Sequence, residues 1–363
     1  MKKEWKWMGL LIMAVMIAST LSGCIGEEKP GTKAPEKPSV VTYAYTTSDI
    51  IVFWDPSDTY SNEIVAMNNF YEQLVRYDPV EDEIIPVLAE KWDVSDDGLV
   101  WTFYLRKGVK FHCGHEMTAE DVKYSIERTM KRGKGAAYIW DPVKRIDVVD
   151  KYTVKFTLDV PVPLDLIASA GYCAHIFCKE CTETHGQERG DDGHKWFAEG
   201  NECGTGPYKL ESYSKSELVM TRFDDYWKGW DGKHFDKAII KSVPEASTAR
   251  QMLEAGEVDI VDDLPIEMIE ALEKNPNIEI VRTPAFQNLF GLLNTKKPPL
   301  DNKLVRQAIS YAFPYDDVIE YVWKGNAAQS KGAIPKGLWG HCDNIFQYTH
   351  NIEKAKELLT EAG

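Results

Sequence analysis

Six of the seven cysteines of this chain, Cys113, Cys173, Cys178, Cys181, Cys203 and Cys342, lie in its body, several of them beside histidines. Cys178-x-x-Cys181-x-x-x-His185 has the spacing of metal ligands, with His175 and Cys203 as further donors and His112-Cys113-x-His115 as a second cluster. An even number of cysteines outside the cell fits disulfides as well, with the connectivity open. Disulfides are the preferred expectation for all six, and under it the chain needs no metal and no cofactor. Redox catalysis through Cys178 and Cys181 lacks a thioredoxin-like strand and helix before it.

No catalytic centre is expected. His115-Glu116 is not followed by the second histidine of a zinc-protease helix, and neither Gly-x-Ser-x-Gly nor a Walker loop occurs. The acid pairs Asp262-Asp263 and Asp316-Asp317 read as helix caps or solvated surface. The 11 tryptophans and 17 tyrosines are many for this length. Aromatic faces serve peptide side chains and sugar rings alike, although most pack in cores.

These residues must be carried by alternating strands and helices. Val40 to Thr46 is β-branched and aromatic and reads as a first strand. Ile64, Met67, Tyr71, Leu74 and Val75 share one face of a helix expected from about Ser61 to Arg76. Lys91 to Val94, the turn pair Asp97-Gly98, and alternating Leu99, Trp101, Phe103 and Leu105 predict a hairpin, with Trp92 and Trp101 in its core. Thr118 to Asp121 opens a capped helix. Val143 to Val149 and Thr153 to Leu158 form a second strand pair turned at Asp150-Lys151. Further on, Ile239 to Val243 is strand, Ala246 to Ala255 is helix stopped by Gly256, Ile266 to Glu273 is helix and Ile278 to Arg282 is strand. This alternation predicts an α/β sheet, with the hairpin-rich stretch from about 70 to 200 as an inserted β-rich subdomain.

The whole chain has 363 residues, a net charge of −15, 44% hydrophobic and 27% charged residues. That composition excludes a disordered chain, a collagen-like fibre and a polytopic membrane protein, and the acidic balance excludes a nucleic-acid binder. Lys2, Lys3 and Lys6 precede an uncharged run from Met8 to Leu21, too short for a spanning helix and suited to a signal peptide over residues 1–23. Leu21-Ser22-Gly23-Cys24 resembles a lipobox, which makes Cys24 the expected lipidation site. Residues 24–39 are a Pro-, Glu- and Lys-rich tether, and from Gly26 to Ser39 it has no apolar side chain large enough to bury. Signal, lipid and tether together place the protein on the outer face of the cytoplasmic membrane.

The run from Pro86 to His112 (PVLAEKWDVSDDGLVWTFYLRKGVKFH) continues through Met117 to Val122 and Ser125 to Arg128. It closely resembles the signature of the extracytoplasmic solute-binding proteins of the oligopeptide, dipeptide and nickel class, family 5. Further stretches match in family order: Phe70 to Val75, Gly204-Thr205-Gly206-Pro207-Tyr208, Asn294 to Leu300, and Val305 to Ile309. Gly204 to Pro207 reads on its own as a turn into the strand Tyr208-Lys209-Leu210 rather than a phosphate loop, because Pro207 removes a donor.

The resemblance implies a two-lobed periplasmic-binding-protein-like fold with lobe I over residues 40–285. It implies lobe II from 286 to 363, entered by a crossing strand near Thr283 to Leu293. Family members continue beyond a helix similar to Ala355 to Gly363, so lobe II is expected to be incomplete and the chain truncated. Phe53, Trp54, Phe286, Asn288, Phe290 and Trp339 stand where relatives line their cleft, and they are the expected ligand-binding residues. The implied function is a monomeric receptor that delivers peptides to permease subunits served by separate ATPase subunits. Oligosaccharide is the alternative ligand. An extracellular enzyme or metal-binding protein using the Cys/His cluster, and an inactive remnant, are the alternatives of a different kind.

Overall fold

A computed structural model of the chain describes residues 38–283, 285–338 and 340–363. The expected signal peptide, Cys24, nearly all of the tether, and Trp339 lie outside the described residues. Strand β1 (Val40–Tyr45) is followed by helix α1 (Ile64–Phe70). The Glu63 carboxylate opens that helix by accepting from the Tyr60 and Ser61 amides at 2.6 and 2.7 Å. Helix α1 is shorter than its periodicity predicts. Tyr71 is already extended, Glu72 bridges to Ile176, and Leu74 and Val75 belong to the entry of strand β2 (Val75–Asp78). The apolar residues that look like one helical face are divided between a helix and a strand that are both buried.

Strand β2 pairs with β3 (Glu83–Pro86), and β4 (Ala89–Val94) pairs with β5 (Val100–Leu105) across the loop 95–99. In that loop Gly98 has φ +69°, and the Asp97 carboxylate accepts from the Leu99 amide at 3.0 Å. Helix α2 (Ala119–Arg132) starts as expected at Thr118. The Asp121 carboxylate accepts from the Thr118 N–H at 2.9 Å, and Gly133 closes the helix with φ +59°. Strands β6 (Val143–Asp150) and β7 (Thr153–Leu158) complete an antiparallel sheet of order β4-β5-β7-β6. Trp101, Phe103, Val154 and Phe156 alternate onto its buried face, which α2 covers. Three short helices follow: α3 (Leu164–Ala168), α4 (Lys179–Arg189) and α5 (His194–Ala198).

The chain then returns to the first sheet through β8 (Tyr208–Tyr213), β9 (Glu217–Arg222) and β10 (Lys237–Ser242). Helix α6 (Ala246–Ala255) ends at Gly256 and leads to β11 (Ile260–Val261). The sheet order is β11-β1-β10-β9-β8, with β1 parallel to both β10 and β11 and the remaining pairs antiparallel. Everything between β1 and β8 is therefore inserted into this sheet. Helix α7 (Ile266–Leu272) follows, and α8 (Lys303–Ala312) packs on α9 (Ile352–Ala362) around Ala308, Ala355 and Leu358. That small core is separate from the main one, which runs from Ile50 to Ile240.

Two expected strands are not formed. Residues 278–282 and 285–293 are in no strand ladder among the described residues, although the outer edges of β11 and β8 are unpaired there. The β-branched run at 278–282 has strand propensity but joins no ladder, and Val281 and Leu289 stay largely exposed.

Candidate ligand-binding site

In an α/β sheet, ligands bind beyond the carboxyl ends of parallel strands where neighbouring connections leave in opposite directions. Strand β1 meets that condition, since the chain crosses over it between β10 and β11. At its carboxyl end Tyr43 and Tyr45 stand with ring centroids 5.5 Å apart, and the Tyr45 hydroxyl donates to the Asn62 carbonyl at 3.2 Å. The Thr46 hydroxyl donates to the Asp262 carboxylate at 3.4 Å, and the Asn62 amide donates to the Thr47 hydroxyl at 2.7 Å. Burial, reinforced by the Asp262 carboxylate, raises the pKa of both phenols, so they remain neutral donors at physiological pH. This edge therefore offers neutral hydroxyls, an amide and carboxylates, which are groups for recognition.

From the edge the chain runs through buried Ile50 and Ile51 to Phe53, which is 40% exposed, and Trp54, which is 8% exposed. Trp54 meets the Tyr213 ring edge-on at 4.8 Å, so its surface is already covered by packing. The segment after it is fixed by a buried ion network. Arg128 donates to both oxygens of Asp55 at 2.7 Å and to the Ser57 hydroxyl at 2.7 Å, while Arg132 pairs with Asp58 and Asp192. Burial opposes charge on Asp55, but the bidentate Arg128 holds its pKa below the usual carboxylate range.

The expected crossing segment carries Phe286, Asn288 and Phe290 on irregular backbone. Asn288 and Phe290 line one hollow of about 270 Å³ with Leu289, Ser330, Gly332 and Ala333, and the Asn288 amide donates to the Ala333 carbonyl at 2.9 Å. Phe286 lies over Gly337 and is 43% exposed, while Phe290 is 69% exposed. Phe53 and Trp54 share the region after β1, and Phe286, Asn288 and Phe290 share the region around residues 330–337. Sequence reasoning missed Tyr43, Tyr45 and Thr46. It read Asp262 only as a cap or surface acid, and more than two hundred positions separate these residues from Asp262.

The disulfide expectation is corrected. Cys113, Cys173, Cys178, Cys181, Cys203 and Cys342 are all free thiols. Cys173 is buried alone among Thr59, Ser57 and Lys134 backbone and side-chain groups, and burial pushes its pKa up to about 11. Cys342 is exposed far along the chain. The other four converge, yet none is bonded to a neighbour.

The family model for Bacterial extracellular solute-binding proteins, family 5 Middle, matches residues 83–363. The chain is 31% identical over 329 residues to the probable D,D-dipeptide-binding periplasmic protein DdpA of Escherichia coli (strain K12), covering 87% of this chain and 63% of that protein. It is 31% identical over 313 residues to heme-binding protein A of Haemophilus influenzae, covering 81% and 56%. Among solved structures, the periplasmic binding protein DppA from Helicobacter pylori in complex with peptide STSA aligns with TM-score 0.75 and 32% identity, covering 89% of this chain and 66% of that one. The chain thus spans less than two thirds of the length of these relatives.

Proposed function

The chain belongs to the bacterial extracellular solute-binding proteins of family 5, and from that premise we propose that it is the capture receptor of a binding-cassette importer, with peptides as its ligand class. The observation that carries the reading is the carboxyl edge of β1, where neutral phenols, hydroxyls and Asp262 meet, with the chain leading on from it to the exposed Phe53. Such a set complements a peptide's amides and side chains, and it asks for no bond to be made or broken. The names of DdpA and of the STSA complex support the peptide class.

In this reading residues 40–285 are lobe I and residues from 286 contribute to lobe II. Phe53, Phe286, Asn288 and Phe290 face the ligand as the lobes close, and Trp54 backs Phe53. Ligand shifts the open–closed population, and the closed form docks on permease subunits whose ATPase is a separate chain. Residues 1–23 direct export and Cys24 carries the lipid that holds a monomeric receptor at the outer face of the cytoplasmic membrane. Among the described residues no helix is long and apolar enough to cross a membrane.

The test is a thermal-shift and calorimetric screen of the full chain against di- to hexapeptides and a parallel oligosaccharide panel. A saturable peptide response is expected. A response to sugars alone moves the ligand class to oligosaccharide, and silence from both panels overturns the receptor reading for this chain. Lipidation is checked by labelled fatty-acid incorporation that Cys24→Ala abolishes.

A further inference from the structure

Three separate segments bring four thiols to one point. Cys113 sits in the tight turn 111–115, Cys178 is the N-cap of α4, Cys181 lies in the first turn of that helix, and Cys203 is in the loop before β8. The sulfurs of Cys113, Cys181 and Cys203 lie within 4.8 Å of one another, and Cys113 lies within the same distance of Cys178. Cys178 also neighbours Cys203. From this convergence we propose a tetrathiolate site in which Cys113, Cys178, Cys181 and Cys203 bind one divalent ion of the zinc class.

The geometry favours a shared ion over paired sulfurs. A tetrahedral ion with metal–sulfur bonds of about 2.3 Å holds its sulfurs roughly 3.8 Å apart, and each sulfur then has three comparable neighbours. Cys113 has three sulfurs within 4.8 Å, those of Cys178, Cys181 and Cys203. A disulfide instead needs one partner at about 2.05 Å. The Cys181 amide donates to the Cys178 sulfur at 3.4 Å, and the amino end of α4 lies at the same place, so thiolate charge meets donors there. His115 places Nδ1 3.5 Å from the Cys178 sulfur and 3.7 Å from Glu180, an outer partner for a ligating thiolate.

The ligand-bearing loops are already tied together through their backbones. The His112 amide donates to the Gly204 carbonyl at 2.8 Å, and the Cys178 amide donates to the Cys203 carbonyl at 3.3 Å. The two Cys/His clusters of the sequence thus merge into one site, and three of its expected donors drop out, the first being His112, whose ring nitrogens meet Glu202 and the Gly206 carbonyl. His185 stacks on Trp196 at 4.6 Å, and His175 packs beside Tyr71. Four protein ligands leave no open position, so the ion is structural: it fastens the 111–115 turn and the Gly204 loop to α4.

The experiment is metal analysis of the full chain purified under reducing conditions without chelator, followed by Co²⁺ reconstitution. One equivalent of zinc or ferrous iron per chain is expected, with intense visible bands of a tetrahedral thiolate on Co²⁺ exchange. Both should be lost in Cys113→Ser and Cys181→Ser and retained in Cys342→Ser. A second measurement on the unmutated chain guards against misfolded variants. Alkylation mapped by mass spectrometry should spare these four cysteines until chelator is added, and chelation should lower the unfolding midpoint by more than about 5 °C. Four cysteines that alkylate freely without chelator, or a mapped disulfide between any two of them, overturn the proposal.

Discussion

Glu72 is a buried carboxylate served by three donors from distant parts of the chain. Thr205 Oγ1, Tyr226 OH and Trp227 Nε1 reach it at 3.0, 2.8 and 2.8 Å. Burial raises its pKa against the pull of those donors. Glu72→Ala leaves buried donors unmatched, and a loss of about 3 kcal/mol in urea unfolding is expected. His175 presents the opposite charge problem. Burial lowers its pKa to about 4, so it folds neutral. Between an unfolded pKa of about 6.5 and the folded value the unfolded chain binds the extra proton, and stability falls as pH drops through that window. The slope attributable to it is at most about 1.4 kcal/mol per pH unit. His175→Gln should flatten this acid limb in denaturation series run from pH 7 to pH 4, and an unchanged limb would assign the acid sensitivity to other groups.

At the scale of elements, two family motifs explain each other. A Cβ on Gly204 would lie 1.9 Å from the Phe70 carbonyl oxygen, and one on Gly206 would lie 2.2 Å from that of Asn69. The Gly204-Thr205-Gly206 turn therefore seats directly on the end of α1, with the Gly206 amide donating to Phe70 at 2.9 Å. Gly204→Ala and Gly206→Ala should each cost about 3 kcal/mol or more, measured by thermal unfolding, because backbone rather than a yielding side chain stands in the way. In the neighbouring network, Arg128→Ala strands the buried Asp55 charge at a cost of about 3–5 kcal/mol, and a double variant with Asp55→Asn should recover part of it. Much of this layer is legible in the sequence, since caps, turn glycines and alternation are local signals: α2, the β4–β5 and β6–β7 pairs, and α6 with Gly256 all stand where expected. The failures are tertiary. Leu74 and Val75 satisfy a helix pattern yet enter a strand, and residues 278–282 have strand propensity yet join no ladder among the described residues. The Tyr43–Asp262 edge and the meeting of Cys113 with Cys181 join distant segments, so spacing alone gives no hint of them.

At the scale of the molecule, the described residues hold one large core and two small separate ones, the first around Ala44, Val243, Ala249 and Val258 and the second at α8 and α9. Arg282 joins Glu273 and Asn326, and Lys324 joins Glu270, so the late segment is fastened to the rest by exposed polar contacts. Several large apolar residues are left open there, including Phe290, Tyr321 and Phe346. If Phe290 meets the ligand, Phe290→Ala should weaken peptide binding about tenfold while leaving the unfolding midpoint unchanged, since the ring is mostly in water. Equal binding by the variant would remove Phe290 from the site.

The register Val40↔Lys237 has a consequence for how the chain acquires its shape. Strand β1 is made first of the strands but cannot find β10 until the whole insertion and then β8 and β9 have been synthesised, and a parallel pairing of such long sequence separation is slow to close. Until then β1 is an apolar ribbon with two unpaired edges, open to association with other chains. Folding after synthesis is complete, with a chaperone shielding β1 in the interval, suits this connectivity better than folding domain by domain as the chain emerges.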